Sequence, residues 1–380
     1  MATGLLAAGV LAAPSATAAP LATSAPLATA APSATATPEP DPVQHSLDRL
    51  VRADHMPAAL AAVKKAGGPT RASTAGVGDL ATGAKVPKNG QIRIGSNTKT
   101  FTAVVMLQLV AEKKVRLDAR VDTYLLGLLR GDGIDGRRVT VRQLLQHTSG
   151  LPDYMASPRL ADFVAVQHRY FEPRDLLDLA LARKADFAPG EKWEYSNTNY
   201  LVAGLIVQKV TGRPVGEEIT RRVIDRAGLR HTYFPAPGDT TIHEAHPKHY
   251  FKKADGSLHD FTDMDTSTAW ATGAIVSTNA DLNRFFTVLL RGDLLAPAQL
   301  RQMRATVPTD TPGERYGLGL QSNVLSCGGV YWGHGGTTPG SRTRGGVTED
   351  GREASITVTT IPTGAAARHL EDTVDKALCR

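Results

Sequence analysis

Ten consecutive residues, Phe101-Thr-Ala-Val-Val-Met-Leu-Gln-Leu-Val110, are apolar on almost every face of the helix they would form. A helix without a polar face has to be buried, so the rest of the chain must fold around it. The residues just before it make the constraint chemical. Ser96-Asn97-Thr98-Lys99 lies between a strand-like run, Gln91–Ile94, and this helix. Ser96 and Lys99 then share one face of the first turn, at the positive end of the helix dipole. An unpaired ammonium there is costly, whereas a desolvated lysine beside a serine can act as the base that activates it. Ser-x-x-Lys occurs nowhere else in the chain; on its own it also fits a helix cap followed by a surface lysine.

Around that helix the patterns fall into two classes. Ala59–Lys64 and Thr70–Val77, split by Gly67-Gly68-Pro69, predict a hairpin. Near the other end, Gly329–Gly333, Thr343–Val347 and Ala354–Thr360 predict further antiparallel strands, the last two joined at Asp350-Gly351. Between them, Val141–Leu145, Arg174–Ala182, Tyr200–Val210 and Ala280–Leu290 have helical spacing, and a last helix is predicted over Ala365–Leu378. Strands at both ends with helices between imply one sheet built from the two ends, an α+β or mixed α/β fold rather than alternating βαβ units.

Composition limits the partners. Hydrophobic residues make up 42% and charged residues 21%, with a net charge of +6, which fits an ordinary globular chain. No block of five or six like charges appears and aromatics, at 6%, do not interleave with basic runs, so no nucleic-acid partner is expected. No membrane span is expected either, because no run outside the N-terminus reaches ~18 apolar residues. The first 38 residues carry no charge. Leu5–Ala13 has the length of a signal-peptide core and Ala16-Thr17-Ala18 the form of a cleavage site, although a positive leading region is missing. Residues 1–18 are therefore expected to direct secretion, and 19–42 to form an Ala/Pro/Ser/Thr-rich linker; a disordered Ala/Pro tail is the alternative. After export Cys327 and Cys379 would pair, closing a loop of about 53 residues worth roughly 4 kcal/mol; two buried free thiols are the alternative.

Two more motifs carry chemistry. Tyr195 and Asn197, in Glu194-Tyr-Ser-Asn-Thr-Asn199, lie at the entrance to a helix. A phenol can relay a serine's proton and an amide can hold a carbonyl or orient a lysine, though a cap and a half-buried anchor are the plainer roles. In Trp332-Gly-His-Gly-Gly-Thr337, glycines let backbone N–H groups approach a ligand, as an oxyanion hole requires. His243, Glu244, His246 and His249 lack the His-Glu-x-x-His spacing, so no metal site is expected.

Taken in order, Ser-x-x-Lys, Tyr-x-Asn and His-Gly-Gly-Thr resemble the three signatures of the penicillin-recognising serine enzymes, the serine β-lactamase and penicillin-binding protein superfamily. The resemblance extends through Gln146-His-Thr-Ser-Gly-Leu-Pro152, Ala188-Pro-Gly190, Ser277-Thr-Asn-Ala-Asp-Leu282 and Tyr316-Gly-Leu-Gly-Leu320, and covers about residues 43–380. Its forms are most similar to secreted D-alanyl-D-alanine carboxypeptidases grouped with class C β-lactamases, a branch that the C-terminal cysteine pair also fits. It implies a five-stranded antiparallel sheet flanked by helices, about 43–111 and 266–380, plus an all-helical subdomain, about 112–265. It further implies a cofactor-free monomer that acts on cell-wall peptides, other small peptides or esters, and β-lactams. Ser96 would be acylated, Lys99 and Tyr195 would exchange its proton, and Asn197 would orient the substrate amide. His334 stands where relatives often have Lys. Ser96 and Thr337 would supply oxyanion N–H groups beside Gly336, and Trp270 would line the cleft, with core packing as its alternative role. A β-lactamase-like esterase, a D-aminopeptidase and a catalytically silent ligand-binding module are the competing functions.

One departure bears on substrate. The carboxypeptidases hold a substrate carboxylate, and their expected Arg and second Thr are replaced here by Gln321 and Gly335. A neutral amide cannot supply the charged fork of a guanidinium. Arg342 and Arg344, two apart on a predicted strand and so on one side of it, are the candidates to replace it, with a solvated strand face as the plainer reading.

Overall fold

The computed structural model describes residues 9–19 and 41–380. Residues 9–19 form no helix or strand and are exposed; the remainder of the expected signal segment and linker lies outside the described residues. Residues 41–380 fold around one antiparallel sheet, ordered along its width Val307–Pro308, Glu314–Tyr316, Gln321–Val324, Val330–Gly333, Ser341–Thr348, Glu353–Val358, Ala58–Lys64, Arg71–Asp79, Ala84–Lys85. Gly336–Thr338 pairs with Ser341–Thr348 off this path. The two chain ends meet in the middle, where Ala59 faces Val358 and Lys64 faces Glu353. The five central strands are those the sequence predicts. The edges go further than expected, through strands of two to four residues, too short to show alternation.

Alternation in the central strands assigns their faces. Ala59, Ala61, Ala354, Ile356 and Val358 turn to one side, where Val43, Leu47 and Leu50 of helix Pro42–Arg52 meet Leu370, Val374 and Leu378 of helix Gly364–Leu378. Ser355 and Thr357 turn to the other and donate to Asn283 and Asn279 of helix Asn279–Leu290. Those asparagines in turn donate to the carbonyls of Ala62 and Leu60. The side chains thus hold helix to sheet by hydrogen bonds that leave few buried polar groups unpaired.

Helix Thr98–Ala111 is buried along nearly its whole length, as its composition requires. Helices Asn197–Thr211 and Trp270–Gly273 pack against it. The region 112–265, expected to be wholly helical, also holds two small hairpins, Arg130–Gly131 with Ile134–Asp135 and Tyr250–Lys252 with Leu258–Asp260. No helix among the described residues is long and apolar enough to cross a membrane. Cys327 and Cys379 are disulfide-bonded.

Candidate active site

Two glycines bring the Ser96 turn and the strand Gly336–Thr338 into backbone contact. Gly95 opens the 3₁₀ turn Gly95–Asn97 at φ +51°, and a Cβ on it would lie 2.7 Å from the carbonyl oxygen and 2.8 Å from the nitrogen of Thr337. A Cβ on Gly336 would fall 1.9 Å from the Ile94 oxygen. No side chain fits at either position, so the backbone of the Ser96 turn and that of Thr337 stay in contact, the neighbourhood in which a two-donor oxyanion hole would be built.

Lys99, wholly buried, spreads its amine over three partners: Ser96 Oγ at 3.1 Å, Asn197 Oδ1 at 2.8 Å and the Thr272 carbonyl at 3.0 Å. Asn197 Nδ2 donates to Asp153 Oδ2 at 2.8 Å. A carboxylate only accepts, so Asn197 presents its carbonyl to the lysine. Burial brings the Lys99 pKa down to about 7, against an upward pull from Asp153. When the amine loses a proton, Asn197 and Thr272 retain the two remaining N–H bonds. The lone pair is then left for Ser96, which is the arrangement of a general base.

The Tyr195 ring lies with its centroid 4.9 Å from Lys99 Nζ. Desolvation holds its phenol well above the ordinary tyrosine pKa, with the Ser96 hydroxyl pulling the other way. At neutral pH it is therefore a proton donor, not a phenolate. Asn197, placed by the sequence at a helix entrance, is the first residue of helix Asn197–Thr211. With its carbonyl on Lys99 and its N–H on Asp153, it orients the lysine, one of the two roles the sequence allows it.

These groups open onto a cleft of about 830 Å³. Its lining combines apolar side chains, among them Met155, Leu160, Phe163, Val166, Phe261 and Met264, with polar ones, Glu314, Gln321, Arg342, Arg344, Glu371 and Asp375. Gln321 accepts from the Gly335 N–H at 2.8 Å and donates to Glu314 at 3.2 Å. Burial raises the Glu314 pKa. Arg344 donates to Glu371 at 2.6 Å and fills the space a side chain on Gly335 would need, its Nη1 lying 2.5 Å from where that Cβ would be. Arg342 is half-buried and among the described residues its Nε has no hydrogen-bond partner. Burial and the charge of Arg344 lower its pKa to about 10.

Ser96, Tyr195, Asn197, His334, Gly336, Thr337, Arg342 and Arg344 line this cleft, with Lys99 beneath Ser96. Trp270 does not. Its ring lies over helix Asn197–Thr211, where a Cβ on Gly204 would be 2.7 Å from the indole, so it packs in the core instead of lining the cleft. His334 is buried, and both its nitrogens are used within the protein, by Tyr316 and by the Gly335 carbonyl. The histidines of the 243–249 segment do not converge: His243 meets Asp239, His246 the Glu244 carbonyl, and His249 is buried. The sequence reading missed Asp153, although it directly follows the Gln146–Pro152 segment, and the Thr272 carbonyl, a backbone group with no sequence signature.

A family model described as Beta-lactamase matches residues 43–379. Among solved structures, a D-stereospecific amidohydrolase from Streptomyces sp. superposes with a TM-score of 0.81 at 36% identity, over 87% of this chain and 97% of its own. The D-amino acid amidase from Ochrobactrum anthropi SV3, complexed with L-phenylalanine amide, gives 0.78 at 25% identity, over 88% and 96%. Protein flp of Staphylococcus aureus (strain N315) is 28% identical over 206 residues, 53% of this chain; the match spans only 40% of that longer protein.

Proposed function

From the premise that this chain belongs to the Beta-lactamase family, we propose that it is an exported serine amidohydrolase that opens the amide bond of a D-amino-acid derivative through an acyl-Ser96 intermediate. Ser96 Oγ gives its proton to the Lys99 amine as it attacks the carbonyl carbon. The N–H groups of Ser96 and Thr337 take the negative oxygen of the tetrahedral intermediate, a contribution of about 3–4 kcal/mol per donor. The Tyr195 phenol passes a proton to the departing nitrogen and regains one from Lys99. Water then attacks the ester, its proton returning to the lysine and the released Oγ recovering its own.

The observation that favours an amide over a free-acid substrate is Gln321. Where a carboxypeptidase would present a guanidinium, this amide is held between Gly335 and Glu314, and the nearby Arg344 is neutralised by Glu371. The names of the two solved relatives, an amidohydrolase and an amidase, support the same reading. Export is supported by the apolar N-terminal run and the Cys327–Cys379 bond. A D-Ala-D-Ala carboxypeptidase is the second reading, favoured by Arg342, which lines the cleft and, unlike Arg344, has no carboxylate paired with it among the described residues. The deciding measurement is kcat/KM on a D-amino acid amide, a D-Ala-D-Ala peptide, its C-terminal amide and a short ester. Amides handled as well as or better than the free acid support the amidohydrolase. A preference for the free acid that Arg342→Ala abolishes would replace it with the carboxypeptidase, and the ester as best substrate would indicate an esterase.

A further inference from the structure

We propose that Tyr316 and His147 are positioning residues that set the oxyanion strand through the side chain of His334. Hydrogen-bond chemistry fixes every proton along the line. His334 Nδ1 is 2.6 Å from the Gly335 carbonyl oxygen. A carbonyl only accepts, so Nδ1 carries the proton and Nε2 the lone pair. Tyr316 Oη, 2.9 Å from Nε2, must therefore donate. Having used its single proton, Tyr316 can only accept at the 3.2 Å contact with His147 Nε2, which makes His147 the Nε2–H tautomer. His147 Nδ1 is then free to accept from the Ser196 N–H at 3.3 Å and from Asn199 Nδ2 at 3.0 Å, and Asn199 Oδ1 accepts from Ser149. Beyond His334, the Gly335 N–H donates to Gln321 and Gln321 to Glu314. All donors point one way, toward Glu314; the run that ends on the Gly335 carbonyl can strengthen cooperatively, and the one from the Gly335 N–H starts on the neighbouring peptide group.

The chain ends on the residues that hold Thr337. Gly335 is gripped on both sides, its carbonyl by His334 and its N–H by Gln321. The next two residues press against Ile94 and Gly95 at the nucleophile turn. An added proton on His334 would oppose N–H to the Tyr316 O–H and require His147 to reverse against the Ser196 N–H. The chain therefore tolerates only neutral imidazoles. Burial agrees, bringing the His334 pKa down to about 3 and that of His147 well below the ordinary value. His334 is thus a clamp on the oxyanion strand, with no free nitrogen for moving protons.

For its kinetic readout this rests on Ser96 as nucleophile; its spectroscopic readout does not. In the full chain with ¹⁵N-labelled histidine, His334 should appear as the Nδ1–H tautomer and fail to titrate between about pH 5 and 8. Tyr316→Phe should keep the Nδ1–H tautomer but shift the Nε2 resonance, which loses its donor, and lower kcat about tenfold, with KM changed less than about twofold. His147→Gln, which still offers an N–H to Tyr316, should stay near wild type, while His147→Leu should behave like Tyr316→Phe. An unchanged His334 signal and full kcat in Tyr316→Phe would overturn the proposal. If that variant does not fold, equal kcat in the two His147 variants would overturn it instead. Failure of a fluorophosphonate to label wild-type Ser96 would sink the nucleophile and leave the tautomer result standing.

Discussion

The two sides of the cleft are built on opposite principles. At the nucleophile, Lys99 is wholly buried and its three partners are all within 3.1 Å. Elsewhere in the cleft lining, Arg342, Arg344, Glu314 and Glu371 are partly exposed, and of these four only Arg344 and Glu371 pair with each other. In a dry site each polar atom must have a partner, because an unpaired one costs roughly 1–3 kcal/mol, and this leaves few alternative arrangements. In a wet site charges are screened and exchange partners cheaply. Under the proposed function, the first group carries the reaction and the second selects what undergoes it.

The strongest way to break this contrast is at the nucleophile. Ser96→Ala should lower kcat by at least about 10⁴-fold on every substrate, and mass spectrometry should find no acyl adduct. An adduct on another residue would show that the chemistry had been misplaced.

Next in size is the disulfide, which belongs to the polar side only. Cys327 follows the strand carrying Gln321, and Cys379 ends the helix carrying Glu371 and Asp375, where Asp375 also accepts from the Ser326 backbone N–H. Cys327→Ser should cost about 4 kcal/mol of stability on the chain-entropy account, read as a fall in the denaturation midpoint. Ser96 labelling should continue at close to the native rate in the protein that remains folded. Loss of labelling in step with the bond would mean that the two sides are mechanically one.

The same contrast explains what the sequence revealed. Ser96 and Lys99 were legible because one helical turn joins them and the apolar run after them forces burial. Thr337 was legible from its glycines. Asp153 and the Thr272 carbonyl were not, because they reach the lysine only through tertiary packing. Nor could sequence place Trp270, whose site depends on the space above Gly204, a residue in a different helix. Helix Pro42–Arg52 was missed beside the linker, although Asp41 caps it and Val43, Leu47 and Leu50 repeat at helical spacing. On the polar side Arg344 read as a candidate anion site; its neutralisation by Glu371, 27 residues away, appears only in three dimensions.

A smaller effect tests the base. Lys99 must be neutral to accept the serine proton, and its pKa is about 7. The kcat/KM profile should therefore rise with pH through about 7. Asp153 favours the charged form, so Asp153→Asn should move this limb to lower pH while an amide oxygen remains to receive Asn197 Nδ2. A shift to higher pH, or none, would remove Lys99 as the titrating base.

The smallest expected change is on the polar side and bears on substrate choice. Glu371→Gln leaves an oxygen for Arg344 to bind but removes the charge that cancels it, so two uncompensated guanidinium groups would face the cleft. An exposed ion pair is worth only about 0–1 kcal/mol, so the ratio of kcat/KM for a D-Ala-D-Ala peptide over its C-terminal amide should rise only about threefold to fivefold. Added salt should erase the gain, because the groups are partly solvated. If the ratio stays fixed in Glu371→Gln but falls in Arg342→Ala, the carboxylate is read by Arg342 alone and Arg344 serves to fill the space beside Gly335. If neither variant moves it, the cleft ignores the carboxylate, as expected of an enzyme whose leaving group is a neutral amine.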